Sequence, residues 1–222
     1  MMSISDYKKG AFFDLDYVIV KKDLYRLLGE ELIRLGKVSR FKILLWYVWL
    51  LRYRLNTLKG EDILRENVKD IKGLREKDFL DISLYVFERA RKYISPKAVE
   101  LIRQHEKDGF IVAILSGNFR ILIEPIAQHI GVKNVIAVEL ETSDGYFTGR
   151  VVEPICIGRG KTYWMKKFAR QNKIDLTQSY FYTDSFYDID TLLSVGIPVA
   201  VNPDPKLKKF AKSLGWKIIN TL

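Results

Sequence analysis

The sequence predicts an α/β fold, a three-layer sandwich in which helices cover both faces of a parallel sheet, with an all-helical insertion after the first strand. Two observations predict this. From about residue 95 onward, short apolar strands alternate with amphipathic segments of helix length. Between about residues 21 and 94 the chain has helical periodicity and few turn residues. The predicted domains are therefore a core of residues 1–20 and 95–222 and a helical domain of residues 21–94.

Composition limits the classes of protein. A chain of 222 residues, 48% hydrophobic and 29% charged, is long enough for a buried core and a smaller module. Its single cysteine, Cys156, excludes an internal disulfide and a cysteine-based zinc cluster. His105 and His129 lie in predicted helices, where a packing role is favoured over metal binding. No apolar signal segment precedes the first strand, so we expect a cytoplasmic protein.

The first predicted strand, Ala11, Phe12 and Phe13, runs directly into Asp14 and Asp16. Period-2 alternation points both carboxylates the same way, into one small volume. Such a pair is tolerated when a divalent cation lies between the two groups or when one of them is protonated, and both arrangements occur in catalytic sites. Taken alone, the pattern also fits a solvated loop or a helix N-cap.

The remaining elements follow in order. Within the insertion, the helices are interrupted near Gly36, Gly60 and Gly73. Ser95-Pro96 begins a helix that ends at Gly109, and an Asp144-Gly145 turn predicts a hairpin. The other predicted strands are 110–115, 135–138, 180–182, 199–201 and 216–219, and the other predicted helices are 118–130, 161–172, 189–195 and 205–214.

Polar motifs follow the strands at the points where chemistry is expected. Ser116-Gly117-Asn118 ends one strand, and a helix N-terminus there would offer free N–H groups to phosphate. Carboxyl ends of parallel strands meet at one edge of a sheet, so we expect Asp14, Ser116 and Asp184 to lie together. The segment 158–161 (Gly-Arg-Gly-Lys) precedes a helix but lacks the full Walker spacing, so it is not a P-loop.

Together these motifs resemble those of the haloacid dehalogenase superfamily, in the branch (subfamily IB) that includes phosphoserine phosphatase. The pattern D-x-D-x-[TV] is matched by Asp14, Asp16 and Val18, and the second motif by Ser116. The third motif is matched by Lys161, and the fourth, DSxxD, by Asp184 and Asp188. The resemblance covers nearly all of the chain outside residues 20–95, and it implies a Rossmann-like core with the insertion as a helical cap.

The resemblance implies a Mg2+-dependent phosphomonoester phosphatase that works through an aspartyl phosphate. Asp14 would be the nucleophile, and Asp16 would protonate the leaving alcohol and then activate water. The metal would be held by Asp14, the backbone carbonyl of Asp16, and Asp184, with Asp188 supporting metal-bound water or holding Lys161. The phosphate would be bound by Ser116, Gly117, Asn118 and Lys161.

Departures from the family bear on the substrate. Asn67 stands where phosphoserine phosphatases use an arginine for the serine carboxylate, and Asp23 stands where a glutamate binds the amine. Loss of a bidentate carboxylate partner argues for another small phosphomonoester, with phosphoserine as an alternative. Tyr17 and Tyr187 replace residues common in the branch, which leaves a non-catalytic phospho-ligand binding protein as a further alternative.

The segment 41–51 is predicted to be helical, and from Ile43 to Leu51 it is apolar on every side of that helix. It is far shorter than the roughly 20 residues needed to span a bilayer. Between Glu31 and Glu61 lie seven bases and no acid: Arg34, Lys37, Arg40, Lys42, Arg52, Arg54 and Lys59. This pattern fits a buried cap centre, a dimer contact, or a segment lying on an anionic membrane. Peripheral membrane contact through residues 34–59, with a lipid phosphate substrate as in some bacterial phosphatidylglycerophosphate phosphatases, is therefore a second hypothesis.

The net charge of +10 predicts attraction to an anionic ligand or surface. No recognisable nucleic-acid-binding motif accompanies this charge, so we expect no nucleic acid partner. The sequence predicts no particular oligomeric state, because the side-chain directions that would build an interface cannot be derived from it.

Overall fold

A parallel sheet organises the computed structural model, which describes residues 7–39, 41–42, 44–45, 48 and 59–221. The strands are β1 (Lys8–Phe13), β2 (Ile111–Phe119), β3 (Asn134–Val138), β4 (Leu140–Ser143), β5 (Tyr146–Val151), β6 (Ile174–Thr183), β7 (Ile197–Val201) and β8 (Lys217–Ile219). Six of them form the main sheet in the order β3-β2-β1-β6-β7-β8, and every neighbouring pair is parallel. The predicted α/β sandwich is confirmed.

The helices flank this sheet and fill the insertion after β1. They are α1 (Leu24–Arg34), α2 (Gly60–Val68), α3 (Glu76–Ala90), α4 (Pro96–Lys107), α5 (Arg120–Ile130), α6 (Arg159–Gln171), α7 (Ile189–Leu192) and α8 (Pro205–Ser213). Short 3-10 turns occupy Lys69–Ile71, Arg91–Tyr93 and Phe186–Asp188. Among the helices that the structure describes, none combines the length and apolar character needed to cross a membrane. A cytoplasmic location stays a prediction.

Strand β1 lies in the middle of the sheet. It pairs with β2 on one side and with β6 on the other, and its residues Ala11, Phe12 and Phe13 are at most 1% exposed. Burial on both faces explains the continuous apolar run, because a strand covered on one face alone would alternate with polar residues. The strand order reverses at β1, so the carboxyl ends of β1, β2 and β6 border one crevice.

His105 is part of the aromatic core beside β1. Its Nε2 lies 2.7 Å from the hydroxyl of Tyr182, and its ring contacts Phe13, Phe110 and Tyr180. Burial lowers the pKa of His105; the charge of Asp108 opposes this shift and that of Lys217 adds to it. The sequence-based preference for a packing role thus agrees with its surroundings.

We expect the free energy of unfolding to fall as the pH is lowered below about 6.5, the ordinary pKa of histidine. Because burial lowers the pKa of His105 in the folded state, the unfolded state binds more protons in this range, and stability is lost on acidification. Urea unfolding at a series of pH values should show a weaker dependence in His105→Gln than in the wild type. The matched control is His129→Gln at an exposed position, and identical pH dependence in all three proteins would contradict the prediction.

The two ends of the helical insertion lie side by side, where the chain leaves the sheet region and where it returns to it. Val20 forms an isolated bridge with Ile94, and the Ser95 N–H donates to the Ile19 carbonyl at 2.8 Å. These contacts lie at the predicted domain boundaries, residues 20 and 95. Within the insertion α1 packs against α3.

The predicted hairpin is present as β4 and β5, and it reaches the insertion. Asp144 and Gly145 have φ angles of 51° and 78°, which suit a tight hairpin turn. The Gly145 carbonyl accepts an N–H from Glu76 at 2.9 Å, and the buried ring of Phe147 lies edge-on to Phe79 at 5.3 Å. The hairpin therefore ties α3 to the sheet region.

Several predicted boundaries are wrong by a few residues. Strand β2 continues to Phe119, so α5 begins at Arg120 rather than near residue 118, because the chain stays extended through a register shift between Leu115 and Phe119. Strand β6 begins at Ile174, six residues before the predicted start at 180, and α7 ends at Leu192 rather than at 195. Most of the predicted helix 41–51 lies outside the described residues.

Candidate active site

A buried lysine joins two carboxylates at the carboxyl ends of β1 and β6. The Lys161 Nζ lies 2.9 Å from Asp14 Oδ2 and 2.7 Å from Asp188 Oδ2. Lys161 is 4% exposed, so the ammonium is almost removed from water and its charge is balanced by the two acids. A charge buried in this way is tolerated because it is both paired and hydrogen-bonded.

Burial and the neighbouring charges shift the pKa values of Lys161 and Asp188. Burial alone would lower the pKa of Lys161, but the charges and hydrogen bonds of Asp14 and Asp188 outweigh it and hold the pKa above its ordinary range. Burial raises the pKa of Asp188; Lys161 opposes this shift and Asp14 adds to it. Lys161 therefore stays protonated, as a fixed positive charge beside Asp14.

Two glycines place Lys161. Gly158 precedes α6 with φ 51° and ψ −119°, a conformation that favours glycine. A Cβ at Gly160 would lie 1.7 Å from the carbonyl oxygen of Ile155, so only glycine fits there. The first turn of α6 thus packs directly on the Ile155 backbone, which brings Lys161 into the site.

Thr183 is a site residue that the sequence analysis missed. Its Oγ1 lies 3.1 Å from Asp14 Oδ2 and 2.8 Å from Asp188 Oδ2, the same two oxygens that Lys161 contacts. The residue is fully buried, and its hydroxyl has one hydrogen to donate to either oxygen. Its position directly before Asp184 was the one available signal, and a threonine at a strand end is too common to stand out.

Asp16 is held separately from Asp14. Its Oδ1 accepts the backbone N–H of Leu24 at 3.2 Å, and its Oδ2 accepts from the Asn118 side-chain amide at 2.9 Å. Leu24 is the first residue of α1, so a helix N-terminus points at the carboxylate. Burial raises the pKa of Asp16 well above its usual range, Asp23 adds to this shift and the Asn118 hydrogen bond opposes it. A carboxyl group in this state can hold a proton and donate it.

The end of β2 lies against Asp16 and α1. Ser116 is buried, and its Oγ accepts from the Asn118 backbone N–H at 3.2 Å and from the Asn118 amide at 3.3 Å. The Gly117 carbonyl accepts a hydrogen bond from Tyr25 Oη at 2.8 Å, a contact that sequence reasoning did not foresee. Asn118 therefore contacts Asp16 directly, and Ser116 contacts Asn118 at the same end of β2.

Asp184 adds a further carboxylate. Burial raises its pKa to about 8, the charge of Asp14 adds to the shift and Lys161 opposes it. Lys161 contacts Asp14 and Asp188, and its charge also acts on Asp184, so carboxylates outnumber the one lysine here. Carboxylate oxygen is the donor that Mg2+ prefers. Over the described ranges, no group of three or more His, Cys, Asp or Glu side chains is arranged to hold a metal by itself. What fits Mg2+ is therefore the chemistry of these carboxylate donors and not a preformed cluster of them.

Comparison with known proteins assigns the family. The family model of the haloacid dehalogenase-like hydrolases matches residues 11–193, which include Asp14, Asp16, Ser116, Lys161 and the Asp184/Asp188 pair. The chain belongs to this family. The family predicted from the four motifs is therefore confirmed, and relatives named as phosphatases confirm the prediction of a phosphatase of the haloacid dehalogenase type.

Relatives of this hydrolase match nearly its whole length. It is 28% identical over 219 residues to a histidinol-phosphatase of Neisseria meningitidis, with 96% of this chain and 99% of that one covered. A solved structure of a protein of unknown function from Bordetella pertussis has a TM-score of 0.88 and 25% identity, covering 97% and 100% of the two chains. A phospho-aspartyl intermediate analogue of phosphoserine phosphatase shares the fold, with a TM-score of 0.71, 22% identity and coverage of 97% and 94%.

The two residues that depart from the family motifs each make a contact with another element. Tyr17 has φ 58°, a left-handed conformation that residues other than glycine rarely adopt. Its carbonyl accepts a hydrogen bond from Asn202 Nδ2 at 2.6 Å. Tyr187 Oη donates to Glu61 Oε2 at 2.8 Å, which links the turn before α7 to α2 in the insertion. Neither change removes a charged group from the site.

Proposed function

We propose that the protein is a Mg2+-dependent phosphomonoester phosphatase that works through an aspartyl phosphate. The observation that carries this proposal is the buried Lys161 ammonium held between Asp14 and Asp188, with Asp184 beside them. A carboxylate that attacks a phosphoryl group meets charge repulsion, so a fixed cation at the nucleophile is the group that this reaction needs.

The chain's own residues account for each step of the proposed reaction. Asp14 attacks phosphorus, and its new O–P bond forms as the bond to the substrate alcohol breaks. Asp16 gives its proton to the leaving oxygen and later takes one from the water that hydrolyses the aspartyl phosphate. Lys161, Ser116 and the Gly117 N–H would bind the phosphate oxygens.

The proposed metal site consists of Asp14, Asp184 and the backbone carbonyl of Asp16, with Asp188 close by. When bound, Mg2+ would neutralise the phosphate oxygens and so lower the barrier to attack by an anion. Asp188 already accepts a hydrogen bond from Lys161 and lies beside Thr183, so its proposed part is to hold these side chains in place.

We further propose that residues 21–94 form a cap and that the substrate is a small phosphomonoester other than phosphoserine. Asn67 offers no charge to a substrate carboxylate. Asp23 is an acid near Asp16, and its charge raises the pKa of Asp16. One oxygen of Asp23 caps α1 by accepting the Arg26 N–H at 3.0 Å. The name of the Neisseria relative adds histidinol phosphate to the candidates, and this compound carries an amine and no carboxylate.

Phosphate release from a panel of substrates tests the proposal. The panel contains phosphoserine, histidinol phosphate, sugar and polyol phosphates, and a lipid phosphate in detergent, each with Mg2+ or with EDTA. We expect turnover of at least one member that requires Mg2+ and is lost in Asp14→Asn. A folded, Mg2+-loaded protein that releases phosphate from no member, or that works equally well in EDTA, would contradict it.

A second candidate, action at a membrane surface, is supported by the exposure of apolar side chains in residues 34–59. Phe41 is 87% exposed and Leu44 is 68% exposed, which disfavours a buried cap centre for these two positions. The flanking sequence is basic, and exposed apolar groups next to bases suit an anionic lipid surface.

Sedimentation with vesicles containing phosphatidylserine measures this contact. We expect binding at low salt that weakens as ionic strength rises, and loss of binding in the double variant Phe41→Glu, Leu44→Glu. Leu214→Glu, at another exposed leucine, is the matched control and should bind like the wild type. Absence of sedimentation at low salt would contradict the membrane hypothesis and leave the phosphatase proposal untouched.

A further inference from the structure

We propose that Asn118 positions Asp16 for proton transfer and is not a phosphate ligand, contrary to the role that its motif position implies. This inference rests on the proposed role of Asp16 as the acid and base of the reaction. It gives Asn118 a part in the departure of the leaving group rather than in the binding of phosphate.

The N–H groups of Asn118 already donate hydrogen bonds to other residues of the protein. A side-chain amide has two N–H hydrogens, and Asn118 Nδ2 has two acceptors, Asp16 Oδ2 at 2.9 Å and Ser116 Oγ at 3.3 Å. The backbone N–H also donates to Ser116 Oγ, at 3.2 Å. Asn118 is 3% exposed. A phosphate oxygen could be bound by this side chain only if an existing hydrogen bond were broken.

The remaining polar atom of the side chain is unsuited to phosphate. Asn118 Oδ1 is buried and has no hydrogen-bond partner in the part of the chain that the structure describes. An amide oxygen is an acceptor and would repel the oxygens of a phosphate. Once Asp16 has given up its proton, turning the amide over would place this oxygen against a carboxylate, so the orientation with Nδ2 toward Asp16 is the favoured one in that state.

These contacts fix the plane of the Asp16 carboxyl group. Oδ2 is held by Asn118 from the end of β2, and Oδ1 is held by the Leu24 N–H from the start of α1. Two donors from separate elements define an orientation that one donor would leave free to rotate. General acid catalysis depends on this orientation, because the proton must reach the leaving oxygen as its bond to phosphorus breaks.

The same geometry leaves Ser116 available to phosphate. Its Oγ accepts two N–H groups from Asn118, so its hydroxyl hydrogen can donate elsewhere. The backbone N–H of residue 118 stays in any side-chain variant except proline. Removing the Asn118 side chain should therefore disturb Asp16 much more than the Ser116 hydroxyl.

The dependence of rate on the leaving group separates the two roles. An alkoxide needs a proton to leave, whereas p-nitrophenolate is stable without one. In Asn118→Ala we expect kcat/KM for the best alkyl phosphate of the panel to fall about 100-fold, within the range of general acid catalysis. For p-nitrophenyl phosphate we expect a fall of less than about 5-fold, and the inhibition constant of inorganic phosphate should change less than about twofold. The ratio kcat/KM is the right quantity because it includes the step in which the alcohol leaves.

Equal losses on both substrates together with weaker inhibition by phosphate would overturn the proposal in favour of a phosphate ligand. No loss on either substrate would overturn it as well. Asn118→Leu, similar in volume and without a donor for Asp16, repeats the test if the alanine variant does not fold, and it should give the same bias between substrates.

Reference variants separate this inference from the proposed function. Asp16→Asn should show the same bias between the two substrates as Asn118→Ala. An Asp16→Asn enzyme that loses both activities equally, while Asp14→Asn is inactive, overturns the Asn118 role through Asp16 and leaves the phosphatase mechanism standing. Phosphate release that survives in Asp14→Asn would instead refute the proposed function.

Discussion

Asp14→Asn is expected to lower phosphate release by a factor on the order of 10,000 or more while the protein stays folded. An amide nitrogen or oxygen cannot replace the carboxylate as nucleophile, so no aspartyl phosphate forms. The fold should survive because Lys161 keeps Asp188 as its ion-pair partner at 2.7 Å. The new amide oxygen can still accept from Lys161 and Thr183 in place of Asp14 Oδ2.

The measurement combines steady-state kinetics with acid quenching during turnover of a labelled substrate. Label should remain on the wild-type protein and be absent from Asp14→Asn. Asp175→Asn is the matched control, because this acid lies at the opposite end of β6 and, among the described residues, its side-chain oxygens accept hydrogen bonds only from Thr177 and Gln178. Retention of more than about one per cent of wild-type activity in Asp14→Asn would exclude Asp14 as the nucleophile.

The arrangement of the site could be predicted wherever it follows from strand direction. Asp14 and Ser116 follow apolar runs, and Asp184 follows another, so a parallel sheet brings all three to one edge. The predicted helix after Gly158-x-Gly160 is α6, and it places Lys161 at that edge. These inferences need only periodicity and the rule that ligands lie at the carboxyl ends of parallel strands.

Side-chain partners could not be predicted, because they depend on the packing of distant elements. Tyr25 bonds the Gly117 carbonyl across 92 residues of sequence, and Asn118 bonds Asp16 across 102. Nothing local in the sequence marks either pair. The start of β6 was missed for a different reason, since its first residues include polar Asp175 and Thr177 and lack the apolar run that signals a buried strand.

Lys161→Met is expected to lower both activity and stability. Removing the ammonium leaves Asp14 and Asp188 buried with no positive charge between them, and breaking a buried ion pair from one side destabilises a protein by about 3–5 kcal/mol. Loss of a fixed positive charge at the transferring phosphoryl group should lower kcat by a further 100- to 1,000-fold, roughly the effect of deleting one preorganised donor.

The double variant Lys161→Met, Asp188→Asn separates these two effects. With one carboxylate neutralised, the repulsion between Asp14 and residue 188 disappears, so we expect the free energy of unfolding to recover by about half or more of the loss, because neighbours coupled in this way are not additive. Activity should stay low, because the cation that faces the phosphoryl group is still absent.

Urea unfolding in EDTA, followed by kinetics in saturating Mg2+, measures stability and catalysis on the same proteins. Lys166→Met, an exposed lysine on the same helix α6, is the matched control and should change neither quantity. If Lys161→Met alone were as stable as the wild type, Asp14 and Asp188 would not both be ionised in the folded protein without metal. Recovery of activity along with stability in the double variant would show that Lys161 acts only by neutralising Asp188, and would remove it from the proposed phosphate-binding set.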